Sequence, residues 1–426
     1  MKPVDAVLIG AGQRGMNTFG KFALTRPESL NYVAVVEPDK EKRDMFGEHH
    51  DIPDSKRFAN CDTLFSKKPL AEAVVIATPD RMHYENTLCA FDAGYKHVLL
   101  EKPIATSVAH CIEIVERAKQ ARARLMIMHE MRYTPLFASI KLLIDSGAVG
   151  DVKKINQTEQ VGNWHFPHSY VRGNWGNKEE SGPVALTKCC HDFDIFHWLV
   201  GKPCKKVKSW SKELFFREAN APGQVPARCT DGCSHKKTCP YYAPRLYTAA
   251  KTSPKLKAHV HPSQDHEVIL KVLPKSPYGK CIYKCDNDVP DYQETDLEFE
   301  DGLKVHFVME QEDPKCTRKI EVVGTKGRIT GSLDAGELFV YGDGKKRRVE
   351  LSGDPAEHWG GDPRLIQDFV SAIRGMTTQV RTSAEEALHS HLIAFAAEEA
   401  RLTGKKVDME AFVEKERRLH VPLKTA

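Results

Sequence analysis

Residues 4–15 read Val4-Asp5-Ala6-Val7-Leu8-Ile9-Gly10-Ala11-Gly12-Gln13-Arg14-Gly15, and no other stretch limits the fold so tightly. An apolar strand runs straight into three glycines spaced G-x-G-x-x-G. Such a strand suits a parallel sheet covered on both faces, and a helix-like segment, Met16 to Leu24, follows it. Each glycine meets a separate need. Gly10 permits a tight turn, Gly12 lets a pyrophosphate approach the backbone, and Gly15 lets helix and strand pack closely. The helix N-terminus adds free N–H groups and the positive end of its dipole. Gln13 and Arg14 lie inside the loop and count with it as cofactor-binding residues. A second apolar run, Tyr32 to Val36, ends in Glu37, about 20 residues past the last glycine. A carboxylate there accepts hydrogen bonds from both ribose hydroxyls of NAD and repels the extra phosphate of NADP. Lys40, Lys42 and Arg43 lie close by and soften that preference. The plainer alternative is a glycine turn followed by a surface acid; strand, glycines and acid in register favour dinucleotide binding.

Beyond this unit the first third of the chain alternates strand and helix. Apolar strands are predicted at Ala73 to Ala77, Lys96 to Leu100 and Leu125 to Met128. Helices are predicted over Lys40 to His50, His83 to Ala93 (stopped by Gly94) and Ser107 to Arg122. Five or six strands with crossover helices make a doubly wound α/β sheet, whose ligands bind beyond the carboxyl ends of the strands. Gly10, Glu37, Thr78 and Glu101 all fall at such ends. At 426 residues the chain suits two or three domains. We place a Rossmann domain at 1–128 and a second domain at 129–426. In the second, Glu294 to Gln311 (with an Asp301-Gly302 turn), Arg318 to Val323 and Gly336 to Tyr341 read as a mostly antiparallel, open sheet in an α+β domain. Two helices, Pro363 to Arg374 and Ser383 to Leu402, are expected to close the chain. Residues 220–291, poor in periodic pattern and rich in Pro, Lys, His and Cys, read as an insertion. The net charge of +4 is spread without a basic block, which argues against nucleic acid. No run is long enough to span a membrane and no signal peptide is evident, so a cytoplasmic protein is expected, its twelve cysteines reduced or bound to metal.

Lys102 follows a strand end beside the expected nicotinamide site, and Pro103 favours an extended backbone at it. A partly buried lysine there can polarise a substrate hydroxyl or share its proton; a surface turn lysine is the alternative. His191 opens an amphipathic helix that carries Phe193, Phe196 and Leu199 on one face. It can act as general acid/base or be a hydrogen-bonded core histidine.

Taken together, Gly10-x-Gly12-x-x-Gly15, Glu37, Thr78-Pro79 with His83, Glu101-Lys102-Pro103, and His191 with Asp194 resemble the glucose–fructose oxidoreductase/inositol dehydrogenase (Gfo/Idh/MocA) family over nearly the whole chain. The resemblance implies a Rossmann domain plus a C-terminal α/β domain whose open sheet often builds homo-oligomers. It also implies NAD(P)-dependent oxidation of a ring hydroxyl in a sugar or cyclitol. On that analogy Lys102 and His191 are catalytic, His191 accepting the proton. Thr78, Pro79, His83 and Glu101 serve the cofactor, with Glu101 at the nicotinamide ribose, while Arg132 and Asp194 lie near the substrate. One position departs from the pattern. Members usually carry an aspartate four residues before the histidine; here it is Thr187, followed by Lys188. Lys188 lowers the pKa of its neighbours, reaches an anionic substrate group, or points to solvent.

Asn163 to Trp175 is dense in aromatics, histidines and amides, which suit a sugar ring. Trp164, His165, His168 and Tyr170 are therefore read as substrate contacts, a structural loop being the alternative. In the insertion, Cys229, Cys233 and Cys239, with Cys281 or Cys285 as the fourth thiolate and His235 as a substitute, read as a structural zinc site against free buried thiols. Cys189 and Cys190 read as packing residues. The function expected is an NAD-dependent oxidoreductase acting on a sugar, glycoside or cyclitol. Two rivals remain: an NAD-dependent glycosidase working by transient oxidation, elimination, water addition and re-reduction, and a non-catalytic NAD-binding protein.

Overall fold

The computed structural model describes residues 2–66, 68–353, 359–377 and 380–420. Six strands form the first sheet: β1 Val4–Ile9, β2 Leu30–Val36, β3 Arg57–Phe58, β4 Ala73–Ile76, β5 His97–Leu100 and β6 Arg124–Ile127. All are parallel, in the order β3-β2-β1-β4-β5-β6, the doubly wound arrangement. The uninterrupted apolar run of β1 has a direct cause. Val7 and Ile9 enter one hydrophobic core, while Ala6 and Leu8 enter another on the opposite face. Because both faces are covered, no polar alternation is allowed. Helices α1 Lys40–His49, α2 His83–Asp92 and α3 Val108–Gln120 supply crossovers. Asp39 caps the first by accepting from the Glu41 and Lys42 N–H groups, and Ser107 caps the third through the His110 N–H. Gly94, at φ 96°, ends the second.

Helix α4, Pro135–Asp145, leads to the second sheet, and α5, Cys190–Val200, packs against it. Its nine strands are β7 Val152–Gln160, β8 Cys204–Ser211, β9 Tyr292–Phe299, β10 Lys304–Glu310, β11 Thr317–Gly324, β12 Gly327–Ser332, β13 Glu337–Gly342, β14 Lys345–Arg348 and β15 Val407–Asp408. The order is β14-β13-β12-β11-β7-β10-β9-β8-β15, antiparallel throughout except for the β7–β10 pair. The expected turn at Asp301 and Gly302 joins β9 to β10, with both residues at positive φ. Val305, Phe307 and Met309 point into the core, and the alternate residues face the open side.

Among the described residues three helices, not two, come after β14: α6 Gly361–Ile373, α7 Ala384–Thr403 and, beyond the edge strand β15, α8 Met409–His420. The first two return to the N-terminal sheet. Leu365, Ile366, Phe369 and Val370, at helical spacing on α6, complete one of its cores, and Ala384 and Ala387 of α7 join the other. The stretch 220–291 folds as short helices, Ala243–Thr248, Pro254–Val260 and His266–Val272, around a small core of Tyr247, Ile269 and Leu273. Among the described residues no helix is long and apolar enough to cross a membrane.

Candidate active site

The glycine loop has the shape its spacing requires. Gly10 is at φ 94°, and a Cβ there would meet the Ala77 carbonyl oxygen at 2.7 Å. A Cβ on Gly15 would lie 2.1 Å from the Gly10 carbonyl oxygen, so helix and strand touch backbone to backbone. Beside Gly12 nothing lies within 4 Å of where a Cβ would be, which leaves room for a phosphate to reach the main chain. Glu37, at the end of β2, accepts from the Ala11 N–H at 2.9 Å and the Asp39 N–H at 3.1 Å, so its carboxylate is fixed against the loop. These residues fit a dinucleotide. Gln13 lies half-buried in the same loop.

Arg14 is more entangled than its position suggests. Its Nε donates to Glu101 Oε1 at 2.5 Å, and its Nη2 and Nη1 donate to the two carboxylate oxygens of Asp362, on α6, at 2.9 and 3.2 Å. Glu101 also accepts from the Lys102 N–H at 3.2 Å. His83, fully buried, is a strut. Its Nδ1 lies 2.6 Å from the Pro103 carbonyl oxygen and its Nε2 3.0 Å from that of Thr78. It thereby ties the loop after β4 to the loop after β5. Pro79 is exposed at the start of the turn Asp80–Met82.

Lys102 Nζ donates to the Thr187 carbonyl oxygen at 2.8 Å and lies 5.7 Å from the Trp175 ring centre, within cation–π reach. Trp175 is held in turn by its Nε1–H bond to Asp80 at 2.9 Å. The side chain from β5 therefore spans to the segment that ends in His191. His191, near the start of α5, is buried, and its pKa is driven well below the ordinary 6.5 by burial first, then by Lys102, His129, Arg318 and Lys188. Its imidazole is neutral at physiological pH and able to accept a proton. His129 is fully buried, its ring 5.5 Å from that of His191, and burial lowers it to about 4.

Other expected substrate residues are engaged with each other or with the protein. Arg132 and Asp194 form a buried two-pronged pair, both bonds at 2.7 Å, and so satisfy one another. Lys188 neither faces solvent nor stands free, because its Nζ lies 2.8 Å from Glu159 Oε1. Arg318 bridges Glu159 at 2.9 Å and Asp192 at 2.7 Å, and Gln157 donates to Asp192 at 2.6 Å. The two cations are thus matched by two carboxylates. In the aromatic loop, Trp164 is exposed and donates to the Pro314 carbonyl at 3.1 Å, with His165 stacked on it at 5.4 Å. His168 turns away into the insertion. It is 2.9 Å from the Tyr247 hydroxyl and stacks on Tyr278, and burial lowers its pKa to about 3. Tyr170 lies next to Trp175, through which the loop reaches Lys102. It stacks on Phe166 and approaches Trp175, and burial with Cys189, Asp80, Cys190 and Glu159 pushes its pKa up.

The zinc expectation does not gain support. Among the described residues no group of three or more His, Cys, Asp or Glu side chains is gathered so that it could hold a metal. Cys229, Cys233, Cys239 and Cys281 share a neighbourhood, but as free thiols; burial raises Cys239 and Cys281, and Cys285 Sγ lies 3.3 Å from the Cys281 carbonyl oxygen. The insertion is tied down instead by Arg172, which donates to the Lys280 and Tyr241 carbonyls at 2.8 Å each and to Cys229 Sγ at 3.5 Å. Glu130, Glu159, Asp192, Arg318 and Asp362 were not among the expected site residues. Each is a single charge inside an otherwise unremarkable element, and only the tertiary fold brings them in.

Residues 4–129 match the family model described as oxidoreductase family, NAD-binding Rossmann fold, and residues 141–409 match that of the oxidoreductase family, C-terminal alpha/beta domain. A Bacillus subtilis protein named as an oxidoreductase, YteT, is 22% identical over 390 residues, 86% of this chain and 88% of that protein. The inositol 2-dehydrogenase/D-chiro-inositol 3-dehydrogenase of Lactiplantibacillus plantarum is 29% identical over 164 residues, 37% of this chain and 42% of that enzyme, so the match spans less than half of it. Among solved structures, an oxidoreductase from Agrobacterium radiobacter in complex with NAD+, L-tartaric acid and magnesium has a TM-score of 0.68 at 17% identity, over 96% of this chain and 99% of that one. That likeness is one of fold.

Proposed function

The chain belongs to the Gfo/Idh/MocA oxidoreductase family, with its NAD-binding Rossmann domain and C-terminal alpha/beta domain, and from this premise we propose that it oxidises a ring hydroxyl of a sugar, glycoside or cyclitol. The observation that supports the reading is that Lys102, which follows the Glu101 held by Arg14 of the glycine loop, lies near enough to His191 for its charge to act on the ring. Lys102, from the end of β5, bonds to the Thr187 carbonyl, four residues before the histidine, and its charge acts directly on the imidazole. The nicotinamide, when bound, supplies the hydride acceptor. The protein's part is the proton. Lys102 stabilises charge developing on the substrate oxygen, and neutral His191 takes the hydroxyl proton. Glu37, fixed beside Ala11, favours NAD over NADP. Trp164, His165 and Tyr170 are the side chains we assign to the sugar face.

The reading is tested with a panel of sugars, glycosides and inositols plus NAD, followed by NADH absorbance and product analysis. A turned-over member should lose about 100-fold or more in kcat/KM in Lys102→Ala and in His191→Asn while NADH binding persists. Unchanged turnover in both variants would remove the assignment. One observation favours a second reading. Tyr170 is buried, and Asp80, Cys189 and Glu159 all act on its hydroxyl. An acid/base group of that kind is what a glycosidase working by transient oxidation needs. Glycoside cleavage that requires NAD yet accumulates no NADH would select it.

A further inference from the structure

The position four residues before His191 is Thr187, which has no carboxylate. Its hydroxyl donates to the Pro183 carbonyl at 3.3 Å and its own carbonyl accepts from Lys102. That position therefore offers the histidine no acid, and the acids of its own helix are engaged elsewhere, Asp192 with Arg318 and Asp194 with Arg132. The structure supplies one from the opposite direction. Glu130, 4% exposed, sits on the short helical turn Glu130–Tyr133 just beyond β6, and its Oε2 lies 3.6 Å from His191 Nδ1. We propose that Glu130 is the positioning residue for His191, holding the ring with its proton on Nδ1 and its Nε2 lone pair toward the substrate hydroxyl. This rests on the oxidoreductase reading above.

The largest influences on His191 besides burial all oppose a positive charge on it. Lys102 comes from the loop after β5, His129 from the end of β6, Lys188 from the turn before α5 and Arg318 from β11, and each disfavours the imidazolium. Glu130 is the carboxylate paired with the ring, and its own charge is answered by Arg14 and Arg318, both of which feel it. When the substrate is oxidised, its C–H bond gives up a hydride and its O–H proton passes to His191 Nε2. The resulting imidazolium then has one anion beside it, at Nδ1, until the proton leaves to solvent. The 3.6 Å separation is too long for a hydrogen bond in the free enzyme. Contacts of this kind commonly tighten when substrate is bound.

The proposal is tested on the full chain labelled with 15N-histidine, with His191→Asn used to assign the His191 ring. In the wild type the Nδ1-protonated tautomer is expected; in Glu130→Gln the tautomer balance should shift and the ring pKa should fall. A wild-type ring protonated on Nε2, or a His191 spectrum unchanged in a Glu130→Gln protein that still binds NADH, would overturn the proposal. The wild-type measurement stands even if the variant does not fold. With a turned-over substrate, Glu130→Gln should lose on the order of 100-fold in kcat with little change in KM. Its acidic limb of kcat/KM should move down by about one pH unit, because a carboxylate that raised the ring pKa has gone. A variant with wild-type kcat and pH profile would also overturn it. A panel in which nothing turns over counts against the oxidoreductase reading alone, because the ring measurement needs no substrate.

Discussion

Glu37 shows how much one side chain decides. Its carboxylate is pinned by two backbone N–H groups at the end of β2, where our reading puts the cofactor's ribose. Glu37→Ala should therefore raise the NADP-over-NAD preference by about tenfold or more, read as the ratio of the two dissociation constants, since like charges in contact cost several kcal/mol. An unchanged ratio would remove Glu37 from cofactor choice. Residues of this kind are legible in a chain because they stand at fixed offsets from a strand end: Gly10, Glu37, Glu101 and Lys102 all do. Residues whose role depends on a distant partner are not. Arg132 and Asp194 stand next to motif residues and read as substrate contacts, yet they are 62 positions apart and close on each other. Lys188 reads as a stray cation until β7 brings Glu159 alongside it. Glu130 passes unnoticed because nothing local links it to a histidine from another element.

At the scale of elements, helices with clean ends were readable. Ser107, Ser383 and Gly94 mark boundaries that hold within a residue or two, since caps are local chemistry. Helix α8 was not foreseen. Its Glu and Lys/Arg residues are dense, and its few apolar anchors, Phe412 and Val413 among them, make a weak stripe. Strand β7, the core strand expected just before the aromatic loop, reads Val-Lys-Lys-Ile-Asn-Gln-Thr-Glu-Gln, polar for a central strand; its buried Gln157 and Glu159 are retained by partners from α5 and β11. The insertion's small apolar content points, on sequence alone, to a metal. Arg172 does that work from the aromatic loop through two carbonyls and a thiol. Arg172→Leu should destabilise the insertion by about 3 kcal/mol, because it strands buried carbonyls. Limited proteolysis within 220–291 is the readout, and wild-type resistance in the variant would show that something else holds the segment.

The whole molecule carries several histidines kept neutral by burial: His129 at about 4, and His168 and His391 at about 3. In the unfolded chain each titrates near 6.5, so below that pH the unfolded state binds more protons than the folded one. Stability is then complete above about pH 6.5 and falls as the pH drops toward about 4, by about 1.4 kcal/mol per pH unit for each such group. Thermal melts between pH 7.5 and 4.5 should show a midpoint that declines steadily below 6.5; a flat profile would mean these rings are not held neutral. The succession of a parallel sheet and a mostly antiparallel one was legible from the change of pattern along the chain, but the return of α6 and α7 to the first sheet was not, because an amphipathic helix does not name the surface it covers. Leu365, Ile366, Phe369 and Val370 roof strands made more than two hundred residues earlier. A fragment ending at residue 129 should accordingly be sticky and bind a hydrophobic dye, and a monomeric, dye-silent fragment would contradict this. During synthesis on the ribosome, the strip of this sheet face that α6 covers stays bare until residue 373 has emerged. A nascent chain with such a strip is expected to need shielding until α6 arrives.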